Sequence, residues 1–198
     1  METETRMPCE QEHDFALILD GITDLTTQME DALFEAGCDD ATICVRAGRV
    51  FLTFSRTAPT MKEAILSAIR DVQEANIGAR VLRVDSCNLV TQAEIARKIG
   101  RTRQLVSQYI AGTRGPGGFP APACNITDGA PLWYWCEVAH WLWQNDMVKE
   151  DVARAARDTA AINSALILDY YRGMDPGLVG EAIRLMKDIG PATAGATS

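Results

Sequence analysis

The sequence predicts an α+β chain made of two units in tandem, followed by a helical extension. Three observations carry that reading. Residues 14–85 alternate short apolar runs with helical periodicity in the order βαββαβ. Residues 91–114 read as two short helices joined at a glycine. From Val148 onward apolar residues recur at helical spacing without a strand signal.

In the first unit, Phe15–Leu19 is an apolar run closed by Asp20-Gly21, as expected of a buried strand. Met29, Ala32, Leu33 and Ala36 share one face of a helix over Thr26–Ala36, with Gly37 placed to end it. Ala41–Val45 and Val50–Phe54 flank Ala47-Gly48, the pattern of a β-hairpin. Pro59-Thr60 opens a second helix with Ile65, Ala68, Ile69 and Val72 on one face, and Val81–Val84 is the closing strand. This order is the split arrangement of a ferredoxin-like fold. Its chemistry is not legible. Glu35, Asp39 and Asp40 lack recognised metal-ligand spacing and read as a solvated acidic loop, and His13 reads as a surface histidine.

The stretch TQAEIARKIGRTRQLVSQYIAGTR, from Thr91 to Arg114, has the pattern of a helix-turn-helix. Counting Gln92 as position one, Ala96 falls at five, Gly100 at nine and Val106 at fifteen. A small residue at Ala96 lets the helices cross closely, and glycine at 100 suits a turn that needs positive φ. Ile95, Ile99, Val106 and Ile110 supply the apolar contacts, and Thr102 is placed to cap the second helix. That leaves Arg103, Gln104, Ser107 and Gln108 on the outer face, where a DNA reader needs hydrogen-bonding side chains.

Charge points the same way. The chain holds 19 Lys+Arg against 27 Asp+Glu, for a net −8. Residues 91–114 carry five basic groups (Arg97, Lys98, Arg101, Arg103, Arg114) and one acid, Glu94, so the segment is +4 and the remainder −12. An acidic body disfavours loose adhesion to phosphate, while the local patch can still displace counterions from a backbone.

Past the second helix, Arg114-Gly-Pro-Gly-Gly-Phe-Pro-Ala-Pro is a turn-rich exit. Ala123–Ile126 and Leu132–Trp135 flank a Thr127-Asp128-Gly129-Ala130 turn and read as a short hairpin, and Cys136–Gln144 as a helix with Val138, Trp141 and Leu142 inward. The aromatics of 133–141 read as a small core beneath the hairpin. A base-stacking platform would need interleaved cations, and no Lys or Arg lies between Gly115 and Gln144.

Residues 89–144, with the GGFPAP segment, the hairpin and the tryptophan-led WCEVAHWLW helix, resemble the winged helix-turn-helix of bacterial and phage regulators of the excisionase, AlpA and MerR-like type. The resemblance implies base recognition by Thr102, Arg103, Gln104, Ser107 and Gln108, with Arg101 and Arg114 on phosphate. The hairpin tip departs from that pattern, offering Thr127, Asp128 and Gly129 where DNA-gripping wings carry Lys or Arg. The expected organisation is thus a disordered N-terminus over 1–13, a ferredoxin-like domain over 14–86 and a winged helix-turn-helix over 87–145. C-terminal helices over 146–190 and a disordered tail over 191–198 complete it.

Composition bounds the rest. At 47% hydrophobic residues the chain can bury a core, and it has no apolar run of about 18 residues for a membrane span. The polar, acidic start is the reverse of a signal peptide. Six scattered cysteines without a CxxC pair, and two histidines, argue for free, mostly buried thiols in a reducing cytoplasm and against structural zinc. No nucleophile, acid–base set or phosphate loop is assembled, so no enzyme, metal or cofactor is expected. The expectation is a sequence-specific transcriptional regulator, binding double-stranded DNA as a homodimer through an alanine-rich helix. The alternative is a protein-interaction adaptor, such as an antitoxin, whose acidic N-terminal domain holds a partner.

Overall fold

The computed structural model describes residues 10–189, a mixed α+β architecture with a four-stranded antiparallel sheet, a two-stranded one and seven helices. The first unit runs β1 (Gln11–Asp20), α1 (Thr27–Glu35), β2 (Ala41–Arg46), β3 (Arg49–Ala58), α2 (Met61–Glu74) and β4 (Arg80–Val84). The sheet order is β2-β3-β1-β4. Each βαβ pair is therefore split by one antiparallel strand: β3 lies between β1 and β2, and β1 between β3 and β4.

Strand alternation explains the core. In β1 His13, Phe15, Leu17 and Leu19 are buried, and in β3 Val50, Leu52, Phe54, Arg56 and Ala58. Alternate residues face one side, so register Phe15↔Phe54 and Leu17↔Leu52 stacks these rows together, with the two phenyl rings 5.1 Å apart. The rows pack against Leu33 of α1 and Ala64, Ile65, Ala68 and Val72 of α2. Both helices start at a threonine whose hydroxyl accepts an early amide: Thr26 from Met29 and Thr60 from Glu63.

Two expectations fail here. His13 is buried, not superficial, because β1 begins at Gln11 and places it on the helix-covered face, where its Nε2 meets the Ala58 carbonyl at 3.2 Å. The expected disordered N-terminus thus loses residues 11–13 to β1, while residues 1–9 lie outside the described residues, as does the tail over 191–198. Nor is the acidic loop merely solvated. Asp40 binds the Arg56 guanidinium through both oxygens at 2.8 Å. Arg56 also donates to the Asp71 carboxylate, to Ser67 Oγ at 3.1 Å and to the Gly37 carbonyl at 2.7 Å. All five guanidinium donors are therefore used, tying β3 to α2 and the α1–β2 loop. These two carboxylates raise the Arg56 pKa further, against the pull of burial.

The second unit holds β5 (Leu89–Val90), α3 (Gln92–Lys98), α4 (Arg103–Ile110), β6 (Trp133–Tyr134) and α5 (Trp135–Gln144). The expected hairpin arms 123–126 and 132–135 do not form as a pair of strands. They meet at one bridge, Cys124↔Leu132, and Trp133–Tyr134 pairs instead with β5. Asn88 drives that choice, because its carbonyl takes the Trp135 amide at 2.6 Å and its Oδ1 the Cys136 amide at 3.0 Å. It thereby caps α5, whose own N-cap residue Tyr134 has no such side-chain bond.

A third layer is the long helix α6 (Glu150–Met174), followed by α7 (Pro176–Ile189). Ala153 and Ala156 of α6 pack in the same cluster as Val138, Ala139 and Leu142 of α5, and Ile162 and Leu166 pack on the sheet core, so one helix braces both units. No helix among the described residues is long and apolar enough to cross a membrane. The thiols are less hidden than expected: Cys38 is buried, Cys44, Cys124 and Cys136 are half-buried and Cys87 is exposed.

Candidate nucleic-acid interface

The helix pair is built from local signals. Thr91 and Glu94 form a capping box on α3: Thr91 Oγ1 accepts the Glu94 amide at 3.2 Å, and Glu94 Oε2 accepts the Thr91 amide at 2.7 Å. That amide bond, with the Thr91 hydroxyl, lowers the Glu94 pKa. Gly100 sits at φ +60, and the chain turns there into Thr102, whose hydroxyl accepts the Leu105 amide at 3.3 Å. Gln92 Nε2 donates to the Arg103 carbonyl at 2.9 Å, tying the start of α3 to the start of α4. Ile95, Ala96 and Val106 are buried between the helices.

The outward surface follows from that packing. Arg101, Thr102, Arg103, Gln104, Ser107 and Arg114 are exposed and Gln108 is half-buried. Arg103, Gln104, Ser107 and Gln108 occupy one stripe of α4 at i, i+1, i+4 and i+5, opposite buried Val106. Thr102 Oγ1 accepts the Leu105 amide as the helix cap and keeps its hydroxyl proton to donate. Among the cations, Lys98 lies over the Trp135 ring at 5.0 Å and Arg97 faces Glu94 at 3.9 Å. Arg101, Arg103 and Arg114 form no ion pair among the described residues, so their charge is uncommitted.

What holds α4 in place is an aromatic clamp that sequence reading recognised only as a core. Tyr109 of α4 tilts against Trp141 at 5.6 Å, and Phe119 lies edge-on to Trp141 at 5.0 Å and to Trp133 at 6.5 Å. The two buried indoles donate to the exit segment, Trp141 to the Gly117 carbonyl at 2.9 Å and Trp133 to the Pro120 carbonyl at 3.1 Å. The chain leaves α4 through positive φ at Gly112 and Gly115. The Gly115 backbone passes so near Tyr109 that a Cβ would stand 2.9 Å from its Cδ1. Glycines and prolines in this segment thus let the backbone bend tightly enough for two tryptophans to pin it.

The loop at 125–131 carries Asn125 and Gly129 at positive φ, with Thr127 bonded to Asp128, and exposes Ile126. Its tip has no cation. A concavity of about 530 Å³ lies between α5 and α6 and is lined in part by His140, Trp141, Trp143, Arg154 and Arg157. Both arginines are engaged, with Glu150 at 2.6 Å and Asp158 at 3.0 Å. Among the described residues no group of three or more His, Cys, Asp or Glu is arranged to hold a metal ion.

No protein-family model matches the chain, and no curated protein or solved structure is detectably similar to it.

Proposed function

We propose that this protein is a sequence-specific DNA-binding transcriptional regulator that inserts residues 102–111 into the major groove. The observation that carries the reading is the exposed stripe of Arg103, Gln104 and Ser107 on a helix clamped from behind, bracketed by the uncommitted charges of Arg101 and Arg114. Arg103 matches bidentate recognition of guanine O6 and N7, and Gln104 recognition of an adenine edge. Arg101 and Arg114 suit backbone phosphate at either end, while Ser107 and Gln108 contact the middle of the site. The loop at 125–131 has the place of a wing but, lacking a cation, contributes no phosphate contact. We read the first unit as ferredoxin-like, on the strength of its two interleaved βαβ pairs. Two copies, each presenting one α4, would read two half-sites.

The test is binding of the full chain to DNA from its own upstream region, in a salt series, with Arg103→Ala against a panel of single-base operator variants. The expected result is tight, steeply salt-dependent binding to one site. Arg103→Ala should cost about 1–3 kcal/mol and relax the preference at one base position. Binding no tighter than to random DNA would refute the reading.

A further inference from the structure

The outer strands of the four-stranded sheet are β2 and β4, and their edges differ. The β4 edge is occupied by Asn163 of α6, which bonds the Val84 backbone. The β2 edge is open. Arg46 pairs with Arg49 across the two-residue turn Ala47-Gly48, and the Asp40 carbonyl accepts the Ser55 amide at 3.3 Å. Bonded and unbonded residues alternate along an antiparallel strand, so the backbone groups of Thr42, Cys44 and Arg46 face β3 while those of Ile43 and Val45 point outward. Among the described residues nothing bonds to them. β2 also has no lysine, proline or bulge, the usual guards of an exposed edge.

A groove runs beside this edge. The register Ile43↔Leu52 and Val45↔Val50 puts both side chains on the helix-covered side. α1 leaves that side partly uncovered, with Val45 49% and Phe34 66% exposed. Between α1 and β2 lies a cavity of about 250 Å³, lined in part by Leu33, Phe34, Ile43, Glu30, Asp31 and Asp39. The three carboxylates form no hydrogen bond or ion pair among the described residues.

We propose that the β2 edge takes up an extended segment of another protein as a fifth strand, one that turns both apolar and basic side chains towards α1. The outward amides and carbonyls supply main-chain bonds, and the groove selects the side chains. Apolar ones cover Val45 and Phe34, and basic ones meet Glu30, Asp31 and Asp39. A second copy of this chain fits less well. Two-fold pairing of β2 with itself keeps alternate residues on one face, so the incoming strand would bring Ala41, Ile43 and Val45 to the groove and send Arg46 to the opposite side. Two acidic grooves would then lie side by side without a cation between them. The site belongs to the first unit and is independent of DNA reading.

Fluorescence polarisation of a labelled peptide, TVTKTVTKTV, with the full chain tests the proposal. The wild type should bind it, and should bind the version with glutamate in place of lysine at least about tenfold more weakly. Val45→Pro removes an outward amide proton that β3 does not use, so it should abolish binding, whereas Val45→Ala keeps that proton and should retain it. The combined Glu30→Gln, Asp31→Asn and Asp39→Asn variant should weaken binding by about tenfold with the fold intact by circular dichroism, and it decides the matter if the proline variant does not fold. No binding of the lysine peptide, equal affinity for the glutamate peptide, or indifference to the three amide substitutions would overturn the proposal. So would equal binding by the folded proline and alanine variants. A wild-type dimer in sedimentation velocity that Val45→Pro dissociates would give the edge to a second copy, and would overturn it too.

Discussion

Asn163, in the middle of α6, takes the place of a neighbouring strand along the free edge of β4. Its Oδ1 accepts the Val84 amide at 2.7 Å, and its Nδ2 donates to the Val84 carbonyl at 3.1 Å and the Ser86 carbonyl at 3.0 Å. β4 is an outer strand of the sheet, and an unpaired edge is a template for wrong pairing. One amide satisfies the last ladder position there and fastens α6 to the first unit. Asn163→Ala leaves three backbone groups without this partner at a buried site, and a loss of about 2–3 kcal/mol in urea unfolding is expected. Asn163→Asp should not rescue, since it keeps the acceptor but offers no amide donors to two carbonyls. A loss under about 0.5 kcal/mol, the range of ordinary surface changes, would show the interaction to be unimportant.

Arg56 is the second tie within that unit. Arg56→Met removes the charge between Asp40 and Asp71 and orphans the Gly37 carbonyl, so a destabilisation of about 3 kcal/mol is expected. Arg56→Lys should recover only a small part, because three donors on a point charge cannot reproduce five in a fixed fork. Equal stability of the lysine variant and the wild type would contradict this.

Gly115 and Gly117 separate two effects. Both have positive φ, +86 and +79, so alanine at either is strained by about 1–2 kcal/mol. At Gly117 the added methyl meets nothing, whereas at Gly115 it strikes the Tyr109 ring at 2.9 Å. Thermal unfolding should show Gly115→Ala as the worse variant, and only that one should displace α4 and weaken DNA binding. Equal effects would mean the Tyr109 approach is not a constraint.

Arg101→Ala and Arg114→Ala are expected to weaken binding by similar factors for every operator variant. Each should flatten the dependence of log K on log salt by about 1, the slope that one neutralised phosphate contributes. A base-selective effect from either would move it from backbone to base recognition.

The thiols differ in reactivity for a physical reason. Burial, reinforced by the nearby Asp71 carboxylate, pushes the Cys38 thiol up to about 11, while Cys87 is exposed. Iodoacetamide at pH 8 should label Cys87 promptly and Cys38 only on unfolding. The native state disfavours the Cys38 thiolate, so the unfolded chain releases that proton first. Stability should therefore fall as pH rises from about 9 towards 11 and be unaffected by this group at neutral pH. Fast native labelling of Cys38 would count against its burial.

The parts of this protein that the sequence alone determined are those set by neighbours a few residues apart. The positive φ at Gly100, the Thr102 cap and the strands over Phe15–Leu19 and Val50–Phe54 all rest on patterns within one turn or one strand, so spacing reveals them. The outward position of Arg103, Gln104 and Ser107 follows from the same periodicity. Tertiary structure alone decided the rest. Asn163 meets Val84 across 79 residues of chain and Asn88 meets Cys136 across 48. His13 looks superficial until the strand start is known, and Leu132–Trp135 looks like half a hairpin until β5 competes for it. Such pairings satisfy polar groups left over when elements pack, and a local pattern holds no record of which distant segment will arrive.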